Sequence, residues 1–318
     1  MSLRLDVAFW AKAIATGVIL TIVLWRVDLS AASATLSHIK VSLFLLGLGL
    51  ACPLGFTGVQ RWRCVAATFG EELSLSKAFM YSWIGQFINL GLPTVLGLDS
   101  VRAWKMHKQG LPIGLATRVV IVDRLCSLAT LLMLIALAMP HLVALSGSEI
   151  FEHSAILAFV LGSAGLVGLS ASELIARVVP ATGRARHLYQ LSTDFNHALF
   201  GNAIATTRIV SWSICNHLCR VVMVFCLALA LDLSMTPLEV FALAPSALLL
   251  AMAPISLAGW GVREVVFIQA FSLADVAPSD ALALSILYGL VGLLTGLFGG
   301  VVWFAERKLQ GQRSTRHA

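Results

Sequence analysis

The sequence predicts an all-α polytopic membrane protein with about six full crossings and two re-entrant broken-helix hairpins. Three observations predict it. Of 318 residues, 58% are hydrophobic and only 12% are charged, with a mean hydropathy of +0.89, whereas a soluble domain is about 25% charged. Basic and acidic residues gather at alternate ends of the apolar runs, the asymmetry that orients membrane proteins. Two apolar stretches far apart in the chain are interrupted by Pro and Gly, and each carries an arginine nine residues after a proline: Pro93 to Arg102 and Pro254 to Arg263.

Apolar runs near 9–25, 38–56, 113–139, 154–175, 203–231 and 280–304 reach or approach the roughly 20 residues that a spanning helix needs. The first begins after Arg4 and ends before Ala32-Ser-Ala34, which imitates a signal peptide with its cleavage site. Phe9 and Trp10 lengthen that run and the chain passes directly into a second crossing, so a retained helix is expected, with cleavage as the alternative. The longest polar stretch, Ala176 to Asn202, is too short for a soluble catalytic domain. The expectation is a single integral membrane domain over 1–318, with a first half at about 1–140, a second at about 154–306 and a tail at 307–318.

The formal charge of +6 follows membrane topology and calls for no nucleic acid. With the N-terminus inside, one side receives Arg61, Arg63, Arg102, Lys105, Lys108, Arg177, Arg184, Arg186, Arg307, Lys308, Arg313 and Arg316. The other receives Asp28, Glu149, Glu152, Asp232, Glu239, Asp275 and Asp280, with Arg26 as the clear basic exception. This places both termini in the cytoplasm and the chain in the cell's inner (plasma) membrane. The broken regions, 74–101 and 237–273, must then each begin and end on one side, the first inside and the second outside. Hairpins of opposite polarity are what inverted repeats produce, with tips meeting near the bilayer midplane and unwound backbone lining a polar cavity.

Smaller features are assigned more simply. Gly292, Gly296 and Gly300 form a small-residue seam on the last crossing, which allows close helix packing within the chain or across a homodimer. Trp25, Trp83, Trp104, Trp260 and Trp303 fall near span ends, where amphipathic rings favour the interface. The six cysteines form no disulfide framework. Cys215 and Cys219 share a helix face that His217 does not, so no metal site and no cofactor are expected there.

Charged groups at membrane depth normally face a cavity or one another. Asp99 lies three residues before Arg102 and can cap the half-helix after Gly97 as well as reach that arginine. Arg263 and Glu264 follow Gly259 and Gly261, a candidate phosphate clamp with a candidate partner or proton carrier. Arg118, Asp123 and Arg124 lie within about two helical turns, and Asp123 is expected to neutralise one of those arginines. Arg208, Trp212, Asn216 and Arg220 recur every fourth residue and so line one face.

These residues carry a resemblance. Arg61-Trp62, Asn89-x-x-x-Pro93 through Gly97-x-Asp99-x-x-Arg102, the pair Asp123-Arg124, and Pro254-x-Ser256 through Gly259-x-Gly261-x-Arg263-Glu264 together resemble the lysylphosphatidylglycerol synthetase transmembrane-region, or flippase-like, membrane proteins. Leu98 stands where that family usually has a second glycine. The resemblance implies handling or translocation of membrane lipids. One branch of the family is fused to an aminoacyl-lipid synthetase, absent from this sequence, and others accompany glycolipid or hopanoid pathways. The expected partners are a membrane lipid with an anionic or amphiphilic headgroup and a separate lipid-modifying enzyme. A membrane enzyme with Asp99 or Glu264 as base, or a non-catalytic scaffold for lipid synthesis, are the alternatives. Ser74-x-x-Lys77 matches a nucleophile pattern in letters only.

Overall fold

The computed structural model describes residues 14, 16–23, 25, 27–91, 97–145, 149–176, 183–252 and 260–314. They form an all-α polytopic membrane protein. In chain order the helices are α1 (Leu29–Ser37), α2 (Val41–Gly49), α3 (Ala51–Thr68), α4 (Leu75–Gly91), α5 (Gly97–His107), α6 (Ile113–Ala144), α7 (Glu149–Ala176), α8 (Arg184–Phe200), α9 (Ala203–Ala230), α10 (Pro237–Ala251), α11 (Val262–Phe271) and α12 (Pro278–Ser314). Among the described residues, five segments are long and apolar enough to cross a membrane: Val41–Thr68, Ile113–Ala144, Ile150–Leu174, Ala203–Ala230 and Pro278–Lys308. The sixth expected crossing, 9–25, lies partly outside the described residues, and its described part at 16–23 is helical.

Local chemistry sets the boundaries. Asp28 caps α1 by accepting from the Ser30 and Ala31 amides, and the Ser30 hydroxyl and these amides hold its carboxyl below the usual range. Asn202 caps α9 in the same way. Thr236 and Glu239 form a reciprocal capping box ahead of α10, with Pro237 at its first position. Pro53 has no amide proton and crowds the carbonyl one turn back, and the chain breaks between α2 and α3 at Leu50.

The polar stretch between the fourth and fifth expected crossings holds a helix, α8. It turns Phe195, Ala198 and the fully buried Ser192 inward and leaves Arg186 and His187 exposed. Arg118 of α6 pairs with Asp194 of this helix at 2.8 Å, so the partner of Arg118 is not Asp123.

Both broken regions are helical hairpins. In the first, α4 and α5 approach through glycines: a Cβ on Gly85 would lie 2.5 Å from Leu98 Cδ1, and one on Gly97 would lie 2.9 Å from Asn89 Cα. In the second, α10 is followed by α11. Residues 92–96 and 253–259, with Pro93, Pro254, Ser256 and Gly259, lie outside the described residues. The first hairpin opens toward the end of the bundle where α3 finishes and α6 starts, the second toward the end where α9 finishes and α12 starts. The two hairpins therefore open toward opposite ends of the bundle.

One helix touches both. Near its start, α12 presents Ser285 and Gly289 to Arg263 of α11. Further on, Gly296, Gly299 and Gly300 face Leu90, Trp83 and Phe87 of α4. The glycine seam is thus filled from within the chain, except at Gly292, where an added Cβ would meet nothing within 4 Å. Trp83 is correspondingly buried, 7% exposed, and packs against Phe298 with ring centroids 4.9 Å apart, unlike the exposed Trp25 and Trp104. A Cβ at residue 299 would stand 2.0 Å from the Trp83 carbonyl oxygen. Gly299→Ala is therefore expected to pry α12 from α4 and to cost about 1–3 kcal/mol, the usual range for overpacking, read as a lowered melting temperature in detergent.

Among the described residues the buried apolar side chains form three clusters, the smallest joining Val23, Val27 and Ala32 to Leu282. One cluster joins α9, α10, α11 and the start of α12 with Ala138 and Leu142 of α6. Another joins α3, α4, α5 and the start of α6 with Phe195 and Ile209.

Candidate functional site

Between these clusters lies a cavity of about 220 Å³. Its wall carries Arg61 from α3, Ser82 and Gln86 from α4, Arg102 from α5, Arg124 from α6, Asn216 and Arg220 from α9, and Tyr288, Gly292 and Thr295 from α12. The apolar part is Leu54, Gly55, Trp83, Leu98, Met223 and Val291.

Two carboxylates hold three of these arginines. Asp123, fully buried, accepts from Arg61 Nε at 2.8 Å and Nη2 at 3.2 Å, and from Arg102 Nη1 at 3.4 Å. The remaining Arg61 nitrogen, Nη1, donates to Ser127 Oγ at 3.0 Å. Arg102 directs Nε and Nη2 at Ser82 Oγ, 3.2 and 2.9 Å away, and its guanidinium lies 4.7 Å above the ring of the fully buried Trp62, a cation–π contact. Asp99 is clamped by Arg124, whose Nε reaches both carboxylate oxygens at 3.0 and 2.9 Å and whose Nη2 reaches Oδ1 at 2.7 Å. Asp99, which lies within reach of Arg102 along the chain, pairs with Arg124 instead, and Asp123 neutralises neither Arg118 nor, through any hydrogen bond, Arg124. Ser82, Gln86, Tyr288 and Thr295 are cavity residues that the sequence reading did not single out, and Arg61 entered it as part of the resemblance and the basic side, without a site role.

The fourth arginine differs. Arg220 makes no ion pair among the described residues, and its Nε is shielded from solvent with no hydrogen-bond partner. One turn back, Asn216 donates to the Leu54 carbonyl at 2.8 Å and to Thr57 Oγ1 at 3.0 Å, close to Gly58, where a Cβ would come 3.4 Å from Asn216 Nδ2. His217 turns away from Cys215 and Cys219, its Nε2 lying 3.0 Å from the Ser127 carbonyl oxygen. The other half of the polar stripe, Arg208 and Trp212, lines a groove of about 720 Å³ with Gln60, Arg63 and His197 at the basic end of the bundle. One face of α9 therefore runs from groove to cavity.

The arginine of the second hairpin is placed otherwise. Arg263 Nη2 contacts Glu264 Oε1 at 2.5 Å, its Nε donates to Ser285 Oγ at 3.1 Å, and Trp260 lies under it at 4.8 Å. Glu264, 2% exposed, also accepts from the Gly261 amide at 2.6 Å and from Ser285 Oγ at 3.3 Å. Gly261 has φ +86°, and a Cβ there would approach Ile19 Cγ2 to 3.0 Å. This cluster is closed, and Arg263, Glu264 and Gly261 do not line the cavity. Gly97 acts through the packing of Asn89, whose Oδ1 is buried without a partner.

Residues 9–300 match the family described as the lysylphosphatidylglycerol synthase TM region. The chain belongs to this family. A curated relative is a UPF0104 membrane protein of Methanocaldococcus jannaschii, 23% identical over 253 residues, which cover 74% of this chain and 75% of the relative. Membership identifies a multi-pass membrane protein linked to lipids. The family stretch takes in both hairpins and the whole cavity wall.

Proposed function

We propose that this lysylphosphatidylglycerol synthase TM-region protein translocates a lipid across a bacterial inner membrane, with the headgroup passing through the arginine-lined cavity. The observation that carries the reading is Arg220, a cavity-lining arginine with no ion pair among the described residues. A cation left so at membrane depth costs several kcal/mol, and an anionic headgroup would relieve that cost. Hairpins of opposite polarity flank the site, the arrangement that alternating access uses. The α9 stripe offers a polar path from the basic end, assigned to the cytoplasm by the positive-inside rule. A separate lipid-modifying enzyme would supply the substrate.

A transferase is less well supported. Both carboxylates offered as bases are saturated, Asp99 by Arg124 and Glu264 by Arg263, Gly261 and Ser285. The purified chain in liposomes with a leaflet-specific lipid probe is expected to move unmodified lipid between leaflets. Chemical conversion of the probe without a change of leaflet would overturn the proposal, and neither activity would favour a scaffold.

A further inference from the structure

We propose that the cavity selects a phosphomonoester headgroup, a single phosphate bearing close to two negative charges, over a phosphodiester or an aminoacylated headgroup. The inference rests on the reading of the cavity as the headgroup site and names the chemistry that the site accepts.

The charges at the cavity do not balance. Four arginines, Arg61, Arg102, Arg124 and Arg220, line it, and the carboxylates hydrogen-bonded to them are two, Asp99 and Asp123. The surplus is two positive charges, and the geometry locates it. Asp99 is used up by the three contacts from Arg124. Asp123 is engaged at both oxygens by Arg61 and shares only a long 3.4 Å contact with Arg102. Arg102 rests otherwise on a neutral hydroxyl, that of Ser82, and Arg220 has no partner among the described residues. Asp123 balances one charge between Arg61 and Arg102, so the surplus falls on Arg102 and Arg220, which both line the cavity.

A phosphomonoester matches this surplus. Its second pKa is about 6, so it carries roughly −1.5 to −2 at pH 7 and offers three strong acceptor oxygens, to which planar guanidinium forks bind well. A phosphodiester carries one charge and leaves one arginine uncompensated. A headgroup with free ammonium groups would meet the surplus directly, with Asp99 and Asp123 already committed. The apolar wall at Leu54, Leu98, Met223 and Val291 suits the first carbons of a lipid tail, which free phosphate lacks.

The test is equilibrium binding to the purified full chain in nanodiscs of neutral lipid. The probes are phosphatidic acid and phosphatidylglycerol with identical acyl chains, with inorganic phosphate as competitor. Phosphatidic acid is expected to bind at least about tenfold more tightly than phosphatidylglycerol at pH 8, and its advantage should shrink several-fold at pH 5, where the second proton is retained. Arg220→Gln should erase the preference, and Arg220→Lys should keep part of it. The pH comparison is made on the unaltered protein, so a variant that misfolds does not decide the matter. Equal binding of the two lipids at both pH values would overturn the inference while leaving translocation intact. Binding of neither lipid would overturn both readings. Displacement of phosphatidic acid by equimolar inorganic phosphate would assign the site to free phosphate and overturn the lipid assignment.

Discussion

Asp123→Asn is expected to cost about 3–5 kcal/mol of stability, because it removes the one carboxylate that two buried arginines share. Arg61 and Arg102 are 3% and 4% exposed, and Asp123 is the carboxylate that both contact. Unfolding in detergent should show a large loss of melting temperature, with poor accumulation of the protein. Asp123→Asn combined with Arg61→Met should be less damaging than the sum of the single changes, since the second removes one of the stranded cations. Additive losses would mean that the two residues do not act as a pair.

Arg102→Gln should behave differently. Asp123 keeps its bidentate contact with Arg61, so the fold is expected to survive, while headgroup affinity and translocation fall by at least about thirtyfold, equivalent to roughly 2 kcal/mol. Arg102→Lys should rescue only in part, because one ammonium cannot span Ser82, Asp123 and a ligand as the guanidinium fork does. Normal transport by Arg102→Gln would make the residue purely structural. The matching change in the second hairpin, Arg263→Gln, strands Glu264 in a site 2% exposed and should act on folding first.

Much of the architecture was legible in the sequence because hydropathy and charge are read over whole segments. The Pro/Gly breaks located both hairpins, and the fourfold spacing of Asn216 and Arg220 placed them on one face. The pairings were not legible. Asp99 and Arg102 are three residues apart, yet Asp99 turns to Arg124, 25 residues on, because α5 packs against α6. Asp123 meets Arg61 across 62 residues, and nothing around Ser82 marks it as the seat of Arg102. The matched proline-to-arginine offset was informative for position and misleading for environment: Arg102 faces the cavity, whereas Arg263 closes on the glutamate beside it. For α8, the spacing of Leu191, Phe195, Ala198 and Leu199 carried a helical signal that the surrounding polar residues outweighed.

The double engagement of α12 has a mechanical consequence. A stiff rod held near one end by α11 and further along by α4 behaves as a seesaw: tilting it off one hairpin presses it toward the other. Gly292 and Thr295, on the cavity wall between those two contacts, sit near the fulcrum. If translocation proceeds by loosening one hairpin at a time, α12 by itself would forbid both gates from standing open together, and the bilayer would stay sealed to ions without any further lock.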